Sequence, residues 1–456
     1  GYMLKPSNIG MDPAQMWAPG WDFVFGGQVD IAQRAGENGW LTYNQNQPNR
    51  YSLTRSDNLN FRATLEPAKD LRIEVTATQV YSISQSSIYR YHNAADDTLL
   101  PYATGFHNFN LMDQGNYSIS FLAIGSTFER SSLSNGYNSA VFDKFLQYRD
   151  EISLRLATER AIMDTSYSAE FIPLSEDTTG GQRVGYDGFS YLSQDVLLPA
   201  FLAAYGGYDV NTVSLNARPK LPLPNWTLNY TGLMKMDMFK KAFQTFTVTH
   251  GYRSLYTMSS FITNLQLEQR TLEGQASNDI RNQNGDFLAE YQVSSVTVSE
   301  NFSPLIGINM RMKNNTSFKA EIKRDRMLNL SVVNNQLTEM KGTELVIGAG
   351  YIIKDVRFKF IRVGANKTPV QSNLELKFDF SMRDNQTVIR RIYEDLTQVT
   401  AGQNIYSIKL SADYQINSRI TARFYYDQIV SKFKTSNAFP TNNITSGFSI
   451  RFNLGQ

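Results

Sequence analysis

The chain has 456 residues, 41% of them hydrophobic and 12% aromatic, with 44 basic against 42 acidic side chains and no cysteine. This near-neutral balance supplies no basic field for nucleic acid, and the missing thiols exclude disulfides and cysteine metal sites. No run of about 18 apolar residues offers a transmembrane helix, although strands with apolar residues at every second position would escape that criterion.

The opening residues Gly1 to Pro6 show no charged region followed by an apolar core, so no signal peptide is read there and the sequence is expected to be a fragment of a longer precursor. The first predicted strands carry Leu59, Phe61, Ala63 and Leu65, then Leu71, Ile73, Val75 and Ala77, with a Glu66–Asp70 turn between them. Tyr117, Ile119, Phe121 and Ala123 predict a third. A non-strand insertion is expected over 131–224. Its first helix is predicted from Ser139 to Arg160, capped by Asn138, with Val141, Phe145, Tyr148, Ile152 and Leu156 along one stripe. A second apolar helix, Asp195 to Tyr205, is expected to be interrupted by Pro199 and stopped by Gly206-Gly207.

Two local motifs follow. Leu221-Pro222-Leu223-Pro224-Asn225-Trp226 is a stiff, proline-spaced entry into a strand continuing through Leu228 and Tyr230. Thr249-His250-Gly251-Tyr252-Arg253-Ser254 is the other. Together they nominate Asn225, Trp226, His250, Tyr252 and Arg253 as gating or docking residues. His250 also fits a simpler role, an imidazole facing the polar interior and making an ordinary hydrogen bond.

The last third is a ladder of two-faced strands. Ile306, Ile308, Met310 and Met312 form one oily stripe, and Leu345, Ile347, Ala349 and Tyr351 another. Leu374, Leu376, Phe378, Phe380 and Met382 alternate with Glu375, Lys377, Asp379, Ser381 and Arg383. Tyr406, Ile408, Leu410, Ala412 and Tyr414 alternate with Ser407, Lys409, Ser411 and Asp413, and the final strand repeats the pattern from Ile444 to Leu454. Successive side chains of an extended chain point to opposite faces. The predicted fold is therefore all-β, an antiparallel transmembrane β-barrel with helical insertions, oily outside and polar inside. A charge on the lipid side costs about 2–4 kcal/mol at mid-depth, so Glu375, Lys377, Asp379, Lys409 and Asp413 are expected to face the lumen. Tight links are predicted at Lys313–Asn315, Lys354-Asp355, Arg383–Asn385 and Ile416–Ser418, and longer ones at Asn334–Gly342, Gly364–Asn373, Thr397–Gln403 and Lys432–Asn443. Outer-membrane barrels have short periplasmic turns and longer outer loops, which places the tight links and the chain end on the periplasmic side.

Nothing in the sequence nominates chemistry. His92, His107 and His250 lack metal-ligand spacing, Ser175–Gly181 lacks the oxygen spacing of a calcium loop, and no Gly-x-Ser-x-Gly elbow would support a triad of His250 with Ser254 and Asp237. The reading is a non-enzyme without cofactor or metal.

Several longer stretches carry a resemblance. "SPLIGINMRMKNNTSFKAEIKRDRMLNLSVVNNQLTE", "ELVIGAGYIIKDV", "QVTAGQNIYSIKLSADY" and "NAFPTNNITSGFSIRFNL" resemble the C-terminal part of the SprA/Sov family, as do "APGWDFVFGG", "LPNWTLNYTGL" and "HGYRSLY". The resemblance implies the outer-membrane translocon of the type IX secretion system, linked also to gliding motility: a very large single-chain barrel passing folded proteins to the cell surface. Such barrels reach about 36 strands, of which this chain would supply roughly 14 or 15. The implied partners are outer-membrane lipid, a PorV-like shuttle barrel, a plug protein, a periplasmic peptidyl-prolyl isomerase and cargo with a C-terminal targeting domain. The organisation read from the residue pattern is barrel strands with an irregular N-terminal segment over 1–130, a helical insertion acting as cap or gate over 131–224, and barrel strands over 225–456. The alternative is a large porin or importer for small solutes, although an importer would normally show a plug domain at its N-terminus.

The parity reading is testable because the chain contains no cysteine. Single cysteines at Leu376, Phe378 and Phe380 should resist a water-soluble thiol reagent in native membranes, while those at Glu375, Lys377 and Asp379 should react. Equal labelling of both sets would refute a membrane strand.

Overall fold

A computed structural model describes residues 25, 32–37, 39–46, 48–95, 104–129, 136–173, 184–267, 279–363, 368–394, 396–416, 419–435 and 438–452. Much of "APGWDFVFGG", the Ser175–Gly181 stretch and the last residues of the final predicted strand lie outside them. No helix among the described residues is long and apolar enough to cross a membrane, which says nothing of strands.

The protein is mostly antiparallel β-sheet. After a short helix α1 (Ala32–Glu37) come strands β1 (Tyr51–Ala68), β2 (Leu71–His92) and β3 (Gly105–Ser120). Next are helices α2 (Ile124–Thr127) and α3 (Ala140–Met163), the two-residue strands β4 (Phe171–Ile172), β5 (Gly185–Tyr186) and β6 (Phe189–Ser190), and helix α4 (Gln194–Gly206). Strand β7 (Asn225–Tyr230) leads through helix α5 (Asp237–Ala242) to β8 (Phe243–Thr263) and β9 (Tyr291–Val293). The rest is strand: β10 (Ser295–Met312), β11 (Thr316–Ser331), β12 (Gln336–Val363), β13 (Thr368–Arg391), β14 (Leu396–Gln415), β15 (Ile420–Phe433) and β16 (Thr441–Phe452). They form one 13-stranded sheet in the order β1-β2-β3-β8-β10-β11-β12-β13-β14-β15-β16, with β7 between β2 and β8 and with β9 on β8. Among the described residues β1 and β16 stand at its two edges.

Cross-strand register aligns the separate oily stripes. Thr316, Tyr351, Leu376, Ala412, Phe424 and Phe448 are successive partners across β11 to β16, and so are Phe318, Ala349, Phe378, Leu410 and Tyr426 across β11 to β15. A slip of one residue anywhere would turn a stripe to the other face, and the β11–β12 and β14–β15 pairings contain no register shift. Toward the N-terminus Leu65, Ile73, Leu228 and His250 continue the belt as successive partners. Many of its side chains are exposed, among them Phe61 (55%), Ile306 (53%), Phe424 (51%) and Phe448 (66%). A polar row bounds the belt on the same face: Arg324, Thr343, Asp384, Asn404 and Lys432 are partners in sequence, one pleat beyond Ile322, Leu345, Met382, Tyr406 and Val430.

Beyond that row the face is covered by helices. The chain leaves the sheet at Ser120 and returns at Asn225, and these two residues occupy one strand column. On β2, Gln79 faces Ile119 and Thr76 faces Asn225; on β8, Leu255 faces Ser120 and Tyr252 faces Trp226. The Leu223 N–H donates to the Ser120 carbonyl at 2.9 Å, closing the gap. The whole helical unit is thus spliced into a single strand without disturbing the register on either side. It starts at Phe121, earlier than its composition suggests, since Phe121 and Ala123 belong to it and not to β3.

Helix α4 is buried from Val196 to Tyr205 on all sides, as expected of a helix apolar all round. It packs on α3 and on the sheet residues Ile119, Tyr256, Val298, Leu328 and Leu337. Pro199 lies inside α4 rather than interrupting it, and Gly207 ends it in the left-handed region at φ 69°. Ser139, not Asn138, caps α3: its hydroxyl accepts from the Phe142 N–H, and Glu129 accepts from the Ser139 hydroxyl at 2.6 Å. The segment after β8 clasps the unit's outer side. Arg281 bridges to Asp187 at 2.7 Å, and the Phe287 ring lies so close over Gly188 that a Cβ there would come within 2.2 Å of it, at a φ of +78°.

Several predicted links are corrected. Lys354-Asp355 lies within β12, where Asp355 takes a φ of 56° at an irregularity in the pairing with β13. Arg383–Asn385 lies inside β13 in unbroken register with Gly342, Thr343 and Glu344. The long link expected over Thr397–Gln403 is strand throughout, in β14, and of the one expected over Asn334–Gly342 all but the first two residues are strand, in β12. At Arg383–Asn385 pairing with both β12 and β14 overrode the local turn composition, whereas Lys354-Asp355 is an irregularity in a strand that pairs again with β13 at Val356.

Candidate functional site

The charged residues on the face opposite the belt gather as their parity requires. Glu375 faces Asp413, and Asp379 faces Lys409, across β13 and β14. Two carboxylates opposed across a pair of strands repel, and here each has its own cation. Lys377 sits 3.0 Å from Glu375, and Arg423 grips Asp413 through two nitrogens, Nη2 donating to Oδ2 at 3.1 Å. With Arg451 and Ser449 these side chains line a polar cleft of about 400 Å³. Lys409 also faces Asp427 on β15, so opposite charges continue across the face. Glycines keep the floor of this face low: the Asp325–Arg383 bridge, 2.8 Å long, passes over Gly342, where a Cβ would come within 2.6 Å of the Asp325 carboxylate.

The second predicted group divides. Trp226 and Tyr252 face each other on β7 and β8 with ring centroids 4.7 Å apart, and the Phe302 ring packs tilted against Tyr252 at 4.9 Å. The Asn225 side-chain oxygen accepts the Ser254 N–H at 2.7 Å. His250 lies on this apolar face, correcting the interior-facing placement: along β8 it shares parity with Phe246 and Val248, while Thr245, Thr247 and Thr249 take the other face. Its Nδ1 donates to the Leu305 carbonyl at 2.6 Å. Arg253 is on the opposite, polar side, exposed and facing Asn301, and does not join the group. Ser254 is fully buried and Asp237 exposed on α5, so the hydrolase constellation does not assemble.

Sequence reasoning missed the residues that hold the helical unit in place. Glu300, Arg326, Glu339 and Arg390, all nearly inaccessible, form a ladder across β10 to β13 on the belt-side face. Arg326 lies 2.8 Å from Glu300 and 4.0 Å from Glu339; Arg390 lies 3.0 Å from Glu339, which also takes Lys341 at 3.0 Å. Remaining donors reach into the helical unit. Arg326 donates to the Ser126 carbonyl at 2.6 Å, Arg324 to the Thr127 carbonyl at 2.6 Å, and Arg390 to the Tyr137 carbonyl at 2.9 Å. Thr127 and Tyr252 both donate to Glu300, at 2.7 and 2.9 Å, and the Ala123 N–H donates to the Tyr252 hydroxyl at 3.1 Å. Each buried ion costs several kcal/mol in lost hydration, recovered only through such close partners. The ladder therefore specifies one docked position. A signal existed in the sequence: Glu300 interrupts the parity of Val296, Val298 and Phe302, and Arg390 that of Val388 and Ile392.

Among the described residues no group of three or more His, Asp or Glu could hold a metal ion. No family model matches this chain, and no curated protein matches it significantly.

At the far side of the unit, a pocket of about 220 Å³ is lined by Gln194, Asp195, Asn216, Arg218, Glu290 and Tyr291, among others. Burial, with the nearby Asp286 carboxylate adding to it, pushes the Asp195 carboxyl up to about 6. Between about pH 4 and 6 the folded unit then holds a proton that the unfolded chain, titrating near 4, has lost. Stability falls as pH rises through this window. Asp195→Asn should abolish that slope and stabilise the helical unit at neutral pH by about 1–3 kcal/mol, read from denaturant or proteolysis midpoints against pH. Arg390→Met leaves Glu339 short of a partner and should cost about 3–5 kcal/mol, seen as earlier proteolysis within 136–173 and 184–224.

Proposed function

We propose that this chain is part of the wall of a protein-conducting outer-membrane β-barrel, the translocon of the type IX secretion system, and that it also serves gliding motility. One observation carries the membrane half of this reading: a single exposed apolar belt, in register over β11 to β16 and bounded by a polar row. Monomeric soluble proteins rarely expose a contiguous apolar patch beyond a few hundred Å², and lipid is the partner that suits one this wide. From Leu374 to Met382 the stripe rises about 27 Å along β13, or roughly 20 Å across the layer at 45° tilt, close to the ≈ 25 Å band of outer-membrane barrels.

The protein-conducting half rests on the family resemblance and on the charged opposite face. Balanced pairs such as Asp379 with Lys409 suit a wet pore wall that lets folded cargo slide without adhering to it. The turns at Lys69-Asp70 and Lys313–Asn315, and the passage from Gln415 to Ile420, share one end of the sheet with Phe452, which under this reading is the periplasmic end. Cargo with a C-terminal targeting domain would enter there, attended by the plug protein and the periplasmic isomerase, and leave toward a PorV-like shuttle barrel. The helical unit lies beyond the polar row on the belt-side face, so it packs against the outside of the wall at the outer end of the sheet and would dock a partner or gate from the flank.

Excision of 121–223 from the full-length protein, joining Ser120 to Pro224, tests the reading. The barrel should still assemble, because the joined chain keeps register on both β2 and β8. Secretion should fail in one of two visible ways: cargo accumulates in the periplasm, or the outer membrane becomes permeable to large antibiotics. Normal protein secretion with changed uptake of small solutes would instead favour a porin, and wild-type behaviour in both assays would remove the helical unit from the mechanism.

A further inference from the structure

The link from β7 to β8 is an unusual connection. Residues Gly232–Lys235 form a 3-10 turn and α5 follows, so the chain Leu233-Met234-Lys235-Met236-Asp237-Met238-Phe239-Lys240-Lys241 makes a shelf at the turn end of the sheet. Both neighbouring turns hold it. The Thr231 N–H donates to the Asp70 carbonyl at 2.9 Å, Lys235 pairs with the Asp70 carboxylate, and the Lys313 N–H donates to the Ala242 carbonyl at 3.2 Å. Its apolar side adjoins the belt: the Phe239 ring packs on Phe246 at 4.9 Å and on Phe243 at 5.7 Å. Met236 and Met238 nevertheless remain 53% and 69% exposed. Lys240 and Lys241 are exposed and form no ion pair among the described residues.

We infer that this shelf is an interfacial anchor that seats anionic phospholipid headgroups of the leaflet at the turn end of the sheet. The inference rests on the membrane reading above and goes beyond it by assigning a lipid class to a particular element. Flexible methionines and a phenylalanine cluster at the edge of an apolar belt match the acyl–headgroup boundary, and lysine stems can lie along that boundary with the ammonium in the headgroup layer. Two adjacent unpaired ammonium groups select negative headgroups over zwitterionic ones. Each is worth up to about fivefold in lipid preference near a charged surface.

The absence of cysteine from these 456 residues allows a direct test in the full-length protein, with any cysteine outside them replaced by serine. Met238→Cys, at an exposed position, is labelled with a small fluorophore, and Phe378→Cys in the belt serves as the control. Each is reconstituted in phosphatidylethanolamine vesicles containing phosphatidylglycerol, with bromine quencher on the acyl chains of one lipid or the other. The expected result is quenching at both sites, stronger with brominated phosphatidylglycerol than with brominated phosphatidylethanolamine at position 238 only. Lys240→Gln/Lys241→Gln should remove that excess while leaving position 378 unchanged. Equal quenching by the two lipids at 238, or an excess that survives loss of both lysines, overturns headgroup selection by the shelf. Quenching at 378 without quenching at 238 overturns the anchor alone. No quenching at either position overturns the membrane reading, and the anchor with it.

Discussion

Cross-strand register is the constraint on which the rest of this structure depends. An oily stripe on a single strand is only a local pattern. It becomes a belt because Thr316, Tyr351, Leu376, Ala412, Phe424 and Phe448 are successive hydrogen-bonded partners. The register shift between Phe302 and Ile306, within the belt, spans four steps on β10 against two on β11 and leaves Ile306 on the face of Ile322. Parity survives because the difference is even.

The same face serves two solvents in turn. Below the row of Arg324, Thr343, Asp384, Asn404 and Lys432 it presents exposed aliphatic and aromatic side chains; above that row it is buried under α3 and α4. The transition is made by charge. Glu300, Arg326, Glu339 and Arg390 sit where an apolar sheet face meets the polar ends of helices, and the α2 carbonyls of Ser126 and Thr127 complete the coordination of Arg326 and Arg324. Negative helix C-terminal ends facing guanidinium groups are a favourable arrangement. Burying those charges makes the docked position specific, because any displaced position would strand an ion without a partner.

Splicing the helical unit into one strand column explains how the sheet accommodates it. A unit inserted between two strands would have to be bridged by the sheet. Inserted within a column, it leaves Ser120 and Asn225 paired to the same two neighbours, β2 and β8, and costs the ladder one irregular position. The Trp226–Tyr252–Phe302 cluster lies just below this point, and the Tyr252 hydroxyl ties it to the charge ladder through Glu300.

What the sequence determined by itself was parity. Alternation needs only the covalent geometry of an extended chain, so the two faces of β13 and β14, and the company kept by Glu375, Lys377, Asp379, Lys409 and Asp413, were legible without a fold. Helix α3, helix α4 and the Gly207 stop were legible for a similar reason, since apolar composition and capping chemistry act within a few residues. Only the tertiary structure decided where strands end. Arg383–Asn385 has turn composition, yet partners on both sides hold it extended, and the free energy of a full ladder outweighs a local preference; Lys354-Asp355 keeps a local kink, but the strand resumes its pairing with β13 at Val356. Tertiary structure alone also made β3 and β7 one column, put His250 and Arg253 on opposite faces, and brought four buried charges from four strands together. Each of those facts is a contact between residues distant in the chain, and no property of either partner taken singly contains it.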